Sequence, residues 1–175
     1  MHRKILTLLT ILVVISLPTA SAFAGRVHFT GSVDFTIHSP LTASGTLAGL
    51  GNGDIFVILE AWGTGTAMCS NKGGNEAPGQ NPVTVNVMGI QGISAKLIEN
   101  GTTPFSVTTD DPKPPTAKEA GCPNNNWKVT SFFVYWTSAA ITVKDAGTGA
   151  SLLHQEFDCI TTSPPNASVT CTPRS

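Results

Sequence analysis

Charge is scarce in this chain: only 12% of its 175 residues are Asp, Glu, Lys or Arg, and the basic ones are scattered. A binder of nucleic acid or of anionic membranes needs a clustered positive face that exchanges counterions with phosphate, so both classes are disfavoured. No Cys-x-x-Cys pair occurs, and no two histidines stand at i, i+2 or i, i+4, which leaves the common zinc patterns without ligands. A Gly-x-Ser-x-Gly turn is missing as well, so nothing singles out a serine nucleophile. After the first two dozen residues there is neither an apolar run long enough to span a bilayer nor a convincing amphipathic helical period. Internal repeats and a three-residue glycine period are absent too, which excludes solenoid and collagen architectures.

What is present starts with a leader. Arg3 and Lys4 precede an uncharged apolar run from Ile5 to Leu17, and Pro18 and small residues lead to Ala22-Phe23-Ala24. That order is the layout of a secretory signal peptide, with cleavage expected after Ala24 and a mature product beginning at Gly25. The expected organisation is residues 1–24 as signal peptide and 25–175 as one secreted domain, long enough for a single core. Removing Arg3 and Lys4 with the leader leaves eight Lys or Arg against eleven Asp or Glu, a formal charge of −3.

All four cysteines, Cys69, Cys122, Cys159 and Cys171, fall in the mature part, and an oxidising compartment makes two disulfides the expectation. Four cysteines allow three pairings. Cys69 with Cys122 and Cys159 with Cys171 is the one that joins the ends of two long loops and closes a C-terminal hairpin.

Short alternating segments fill the rest. Val33, Phe35 and Ile37 alternate with polar neighbours, Leu41 to Leu47 does so more weakly, and Ile55 to Leu59 is apolar on both faces as a central strand would be. Val83 to Val87, Phe105 and Val107, Ile141 and Val143, and Leu153 to Asp158 read as further strands, and a short helical turn fits between Ile90 and Ile98. The segments Cys69 to Val83 and Asp110 to Cys122 are rich in Gly, Pro or Asn and read as loops. These signals predict an all-β fold, a single antiparallel β-sandwich of immunoglobulin-like or similar kind with two long disulfide-pinned loops.

The blocks Gly49-Leu50-Gly51-Asn52-Gly53-Asp54, Cys69 to Pro82 (CSNKGGNEAPGQNP) and Cys122 to Trp127 (CPNNNW) together resemble a group of small secreted bacterial β-domain proteins with the same block order. The resemblance covers most of the mature chain. It implies a secreted β domain and brings no activity with it.

The densest feature is Trp127 to Trp136, WKVTSFFVYW, with five of the eleven aromatic residues that follow the leader. Period-two alternation puts Phe132, Val134 and Trp136 on one side and Phe133 and Tyr135 on the other, with Val129 at the same parity and Trp127 at the start. Trp127, Phe133 and Tyr135 are thus the candidate binding platform for a carbohydrate or an extracellular protein. The alternative is that the Asp110 to Cys122 loop or the opposite sheet covers that row.

Other chemistry is available only by residue type. Glu60, Asp110, Asp111, Glu119, Glu156 and Asp158 are the carboxylates from which a secreted polysaccharide hydrolase would draw its pair. Asp110 with Asp111, or Asn52 with Asp54, would be the oxygen ligands of a loop calcium site, although neither has EF-hand spacing. His28, His38 and His154 are scattered. Asn100 and Asn166 open glycosylation sequons on turns. The expected function is that of a secreted, non-enzymatic binding or structural module, with no cofactor and no membrane span once the leader is removed. The alternatives are the hydrolase and a secreted enzyme inhibitor presented by the loop after Cys69.

Overall fold

The computed structural model describes residues 26–37 and 40–175. The leader 1–24 with its cleavage site, and His38, lie outside the described residues.

Among the described residues, ten strands form two antiparallel sheets. The smaller contains β1 (His28–Phe29), β2 (Asp34–Ile37), β3 (Leu41–Ala48) and β7 (Thr103–Thr108), with β3 flanked by β7 on one side and by β1 and β2 on the other. The larger runs β10 (Val169–Pro173), β9 (Ser151–Thr161), β8 (Lys128–Asp145), β4 (Ile55–Ser70), with β6 (Val83–Ile93) and the short β5 (Glu76–Pro78) sharing the far side of β4. A 3-10 turn, Ala95–Leu97, follows β6.

The sheets face one another across an apolar core. Odd-numbered residues of β4, from Ile55 through Ala61 to Cys69, point inward, and Trp136, Ile141, Val143 and Phe157 meet Leu41, Ala43, Leu47, Phe105 and Val107 from the smaller sheet. Phe29, Phe35, Phe105 and Phe157 form an aromatic cluster, with Phe35 edge-on to Phe157 at 5.1 Å between ring centroids. Each large buried side chain contributes about 1.5–3 kcal/mol through area removed from water. Along one side the sheets nearly close. The Asp110 N–H donates to Met88 O at 2.9 Å, and a Cβ on Gly89 would collide with the Thr108 carbonyl, so only glycine lets β6 and β7 approach this far.

The all-β sandwich is therefore the observed architecture, and both disulfides pair as the loop argument expects, Cys69 with Cys122 and Cys159 with Cys171. Three local expectations change. The strand read as Ile55 to Leu59 runs on to Ser70 as one sixteen-residue strand, β4. Trp127 to Trp136 and Ile141 to Val143 likewise belong to one eighteen-residue strand, β8, in which Thr137 is an extra residue bulged between the pairs Trp62–Ser138 and Gly63–Trp136. The loop after Cys69 is not structureless, because Glu76–Pro78 folds back as β5 against Met68 to Ser70.

A candidate binding face on the larger sheet

Where β4, β6 and β8 run side by side, the register decides what the outer surface shows. Glu60 stands between Met88 and Ala140, Ile58 between Ile90 and Thr142, and Trp62 between Asn86 and Ser138, while Phe56 lies beside Lys144. Phe56, Trp62, Met68, Met88 and Ile90 are all exposed, Ile90 at 56%, although β4 is paired along both of its edges. Being central in the sheet did not bring β4 a covering layer. The apolar two-faced run Ile55 to Leu59 thus has one face in the core and one face open, which is the informative kind of exposed hydrophobic surface.

Phe133 and Tyr135 continue this face along β8, opposite Thr66 and Thr64. Both are half-buried, and they form an edge-to-face pair at 4.9 Å and 81°. The Tyr135 hydroxyl lies 3.3 Å from Ser163 Oγ. Trp127, also half-buried, precedes the strand and donates its backbone N–H to Asn124 O at 3.0 Å. Val129 leaves the row: Thr130 is a second bulged residue, so Val129 pairs with core-facing Cys69 and its parity is reversed.

The Asp110 to Cys122 loop reaches the Phe133–Tyr135 row only beside Phe133. Its Cys122 is tied to core-facing Cys69, its Ala120 O accepts from Asn81 N–H at 3.1 Å, and its Pro112 lines a cleft with Ile37, with core-side Phe132 and Val134, and with Phe133. Pro112, Pro115 and Ala120 are buried there. The loop thus lids the inner side of the part of β4 and β8 that extends past the smaller sheet.

The polar end of the face lies on β9 and β10. Arg174 bridges Glu156 at 2.6 Å and Asp158, and donates its backbone N–H to Glu156 O. The guanidinium hydrogen bond holds the Asp158 carboxyl below its ordinary value and raises Arg174 in turn. Next to them, His154 Nδ1 lies 2.9 Å from Thr142 Oγ1 and its Nε2 3.8 Å from Glu156.

Of the candidate hydrolytic carboxylates, the register brings two into one row, Glu60 and Glu156, with buried Ala140 between them. Asp110 and Asp111 are exposed at the start of the proline-rich loop. Glu119 accepts from the Thr116 N–H at 2.8 Å and hydroxyl at 2.9 Å, bonds that keep its carboxyl below the ordinary range. Asp54 accepts from Ala95 N–H at 2.7 Å and so ties the turn after β3 to the 3-10 turn. Among the described residues no three of His, Cys, Asp and Glu gather as a metal site. His28 Nδ1 lies 2.9 Å from Arg26 O. Asn100 and Asn166 are exposed, Asn100 in a turn at φ 51°.

The Phe56, Ile58, Met88 and Ile90 patch is the part that pattern reading missed. Its signal was in the sequence, because Val83 to Ile93 and Ile55 to Leu59 both carry large apolar residues on two parities. No family, curated protein or solved structure matches the chain. Among the described residues no helix is long and apolar enough to cross a membrane.

Proposed function

We propose that this chain is a secreted, non-enzymatic module of the extracellular space or cell surface, and that it works by docking a partner protein on the outer face of its larger sheet. The observation that carries this is the open apolar surface of Phe56, Met88 and Ile90 around half-buried Ile58, continuous through Trp62 toward Phe133 and Tyr135. Secretion draws support from the leader pattern and from two disulfides with no free cysteine.

A protein partner is favoured over a carbohydrate by ring geometry. Phe133 and Tyr135 meet at 81°, so their faces do not form one flat platform, and the most exposed members are aliphatic and thioether side chains. The test compares the mature domain with Ile90→Lys and Met88→Lys on arrays of extracellular proteins and of glycans. Proteins retained by the wild type and lost by both variants at unchanged melting temperature support the reading. Equal retention by all three overturns it, and retention on the glycan array alone replaces the protein partner by a sugar.

The inhibitor reading has one observation in its favour. The Cys69-anchored hairpin presents Lys72, Gly73 and Gly74 at an exposed tip, held by Asn71 Oδ1 accepting from the N–H groups of Gly73 and Asn75 at 2.9 and 3.1 Å.

A further inference from the structure

We propose that the cleft between the two sheets at β1, β9 and β10 binds a small uncharged aromatic molecule that carries a hydroxyl group. The site is separate from the docking face, which lies on the other side of the larger sheet.

The sandwich nearly closes along β6 and β7 but stays open along its opposite side. There β1 and β2 both pair with one edge of β3, at Leu47 and Ala48 and at Leu41 to Ser44, and the chain between them arches through Gly31 at φ 81°. Between this arch and β9 and β10 is a cleft of about 360 Å³. Sites for small molecules run from about 300 to 1,000 Å³, so this one has room for a single ring with short substituents.

Buried Phe157 and half-buried Phe29, Val33 and Leu153 give the cleft its apolar lining. Phe29 and Phe157 are tilted by 57° with centroids 6.3 Å apart, which offers a third ring both a face and an edge. No Asp, Glu, Lys or Arg lines the cleft, so a charged ligand would lose its water without gaining a counter-charge.

One polar side chain interrupts the apolar row. Leu153, Gln155, Phe157 and Cys159 share inward parity on β9, and Gln155 stands opposite fully buried Ile141. Gln155 Nε2 donates to Glu156 O at 2.9 Å and to Arg174 O at 3.0 Å. Carbonyls only accept, so both contacts belong to the amide nitrogen and use both of its hydrogens. That tie to the end of β10 accounts for the nitrogen alone. Among the described residues nothing donates to Gln155 Oε1, which is left as an acceptor of fixed orientation on a side chain that lines the cleft. A neutral phenol matches this arrangement, with a ring for the apolar walls and one O–H for Oε1. A carboxylate would set acceptor against acceptor.

The experiment titrates the disulfide-bonded mature domain with para-cresol and with para-xylene, which has the same shape without the donor, and follows methyl and amide NMR signals. Both probes should give saturable shifts at Val33 and Leu153, and intermolecular NOEs should place the hydroxyl end of para-cresol nearest Gln155. In Gln155→Leu the affinity for para-cresol relative to para-xylene should fall about tenfold, the size of one lost hydrogen bond. Val33→Trp, which fills the cleft, should abolish the Leu153 shifts from both probes. An unchanged affinity ratio in Gln155→Leu, para-cresol bound with its methyl end at Gln155, or binding that survives Val33→Trp would each overturn the proposal. So would the absence of saturable shifts up to the solubility of the probes, or shifts confined to Phe56, Met88 and Ile90, which would put the probes on the docking face. The NOEs need no variant, so the orientation test decides the matter even if Gln155→Leu fails to fold.

Discussion

The ring of Phe132 lies directly over Gly65, its diagonal neighbour on β4, where a Cβ would have to stand. Val85 Cγ2 closes the same spot from the β6 side at 3.3 Å. Glycine at position 65 is therefore a packing requirement, since its φ lies outside the left-handed region.

Gly65→Ala should accordingly cost about 1–3 kcal/mol, as overpacking does, and Phe132→Leu should recover part of that loss when combined with it. Urea unfolding of the two single variants and the double gives the coupling. If the two effects simply add, the Gly65–Phe132 contact is not what fixes the glycine.

The disulfides close rings of unequal size, with sequence separations of 53 and 12. On the chain-entropy argument, Cys69→Ala with Cys122→Ala should lower stability by about 4 kcal/mol, and Cys159→Ala with Cys171→Ala by about 3. The first pair also releases the lid over Ala67 and Phe132, which adds to its cost. Denaturant midpoints that rank the two pairs in the opposite order would contradict this.

Asp158 gives a pH dependence whose sign is fixed. Its folded pKa is held below the ordinary 3.8 by Arg174, so the pairing stabilises the fold above that value and is lost as pH falls through the depressed one. Asp145 behaves in the same sense, through the hydroxyl and N–H of Thr148. In Arg174→Gln the Asp158 carboxyl, followed by carbon NMR, should titrate higher than in the wild type. Both carboxylates are exposed, so the change in acid stability should be small.

Much of the fold was legible because alternation and turn residues report one-sided burial directly. The exceptions trace to bulges. Trp136 and Ile141 both point inward although an odd number of positions separates them, and Thr137 absorbs the slip, so a strictly alternating reading cuts β8 in two. Thr130 does the same to Val129. The open face was harder to see for another reason: Ile55 to Leu59 shows that both faces of a strand are apolar, but not whether a second layer covers the outer one. In this chain the long loop that would have been the cover is drawn to the inner side by Cys69, because Cys69 has core parity.

That distinction is tested one residue apart in the same strand. Trp136 is 1% exposed and central to the core, whereas Tyr135 is half-buried on the open face with its hydroxyl near Ser163. Trp136→Ala should cost about 3–5 kcal/mol, as deletion of a large core aromatic does. The indole N–H of Trp136 has no acceptor among the described residues, so Trp136→Phe loses packing but no hydrogen bond and should cost clearly less than the alanine change. Tyr135→Ala removes the edge-to-face contact with Phe133 and part of its burial, about 1–2 kcal/mol. It should weaken any partner held by the open face more than Trp136→Phe does. If Tyr135→Ala instead unfolds the domain as readily as Trp136→Ala, the row is covered in solution and the docking surface must be confined to Phe56, Ile58, Met88 and Ile90.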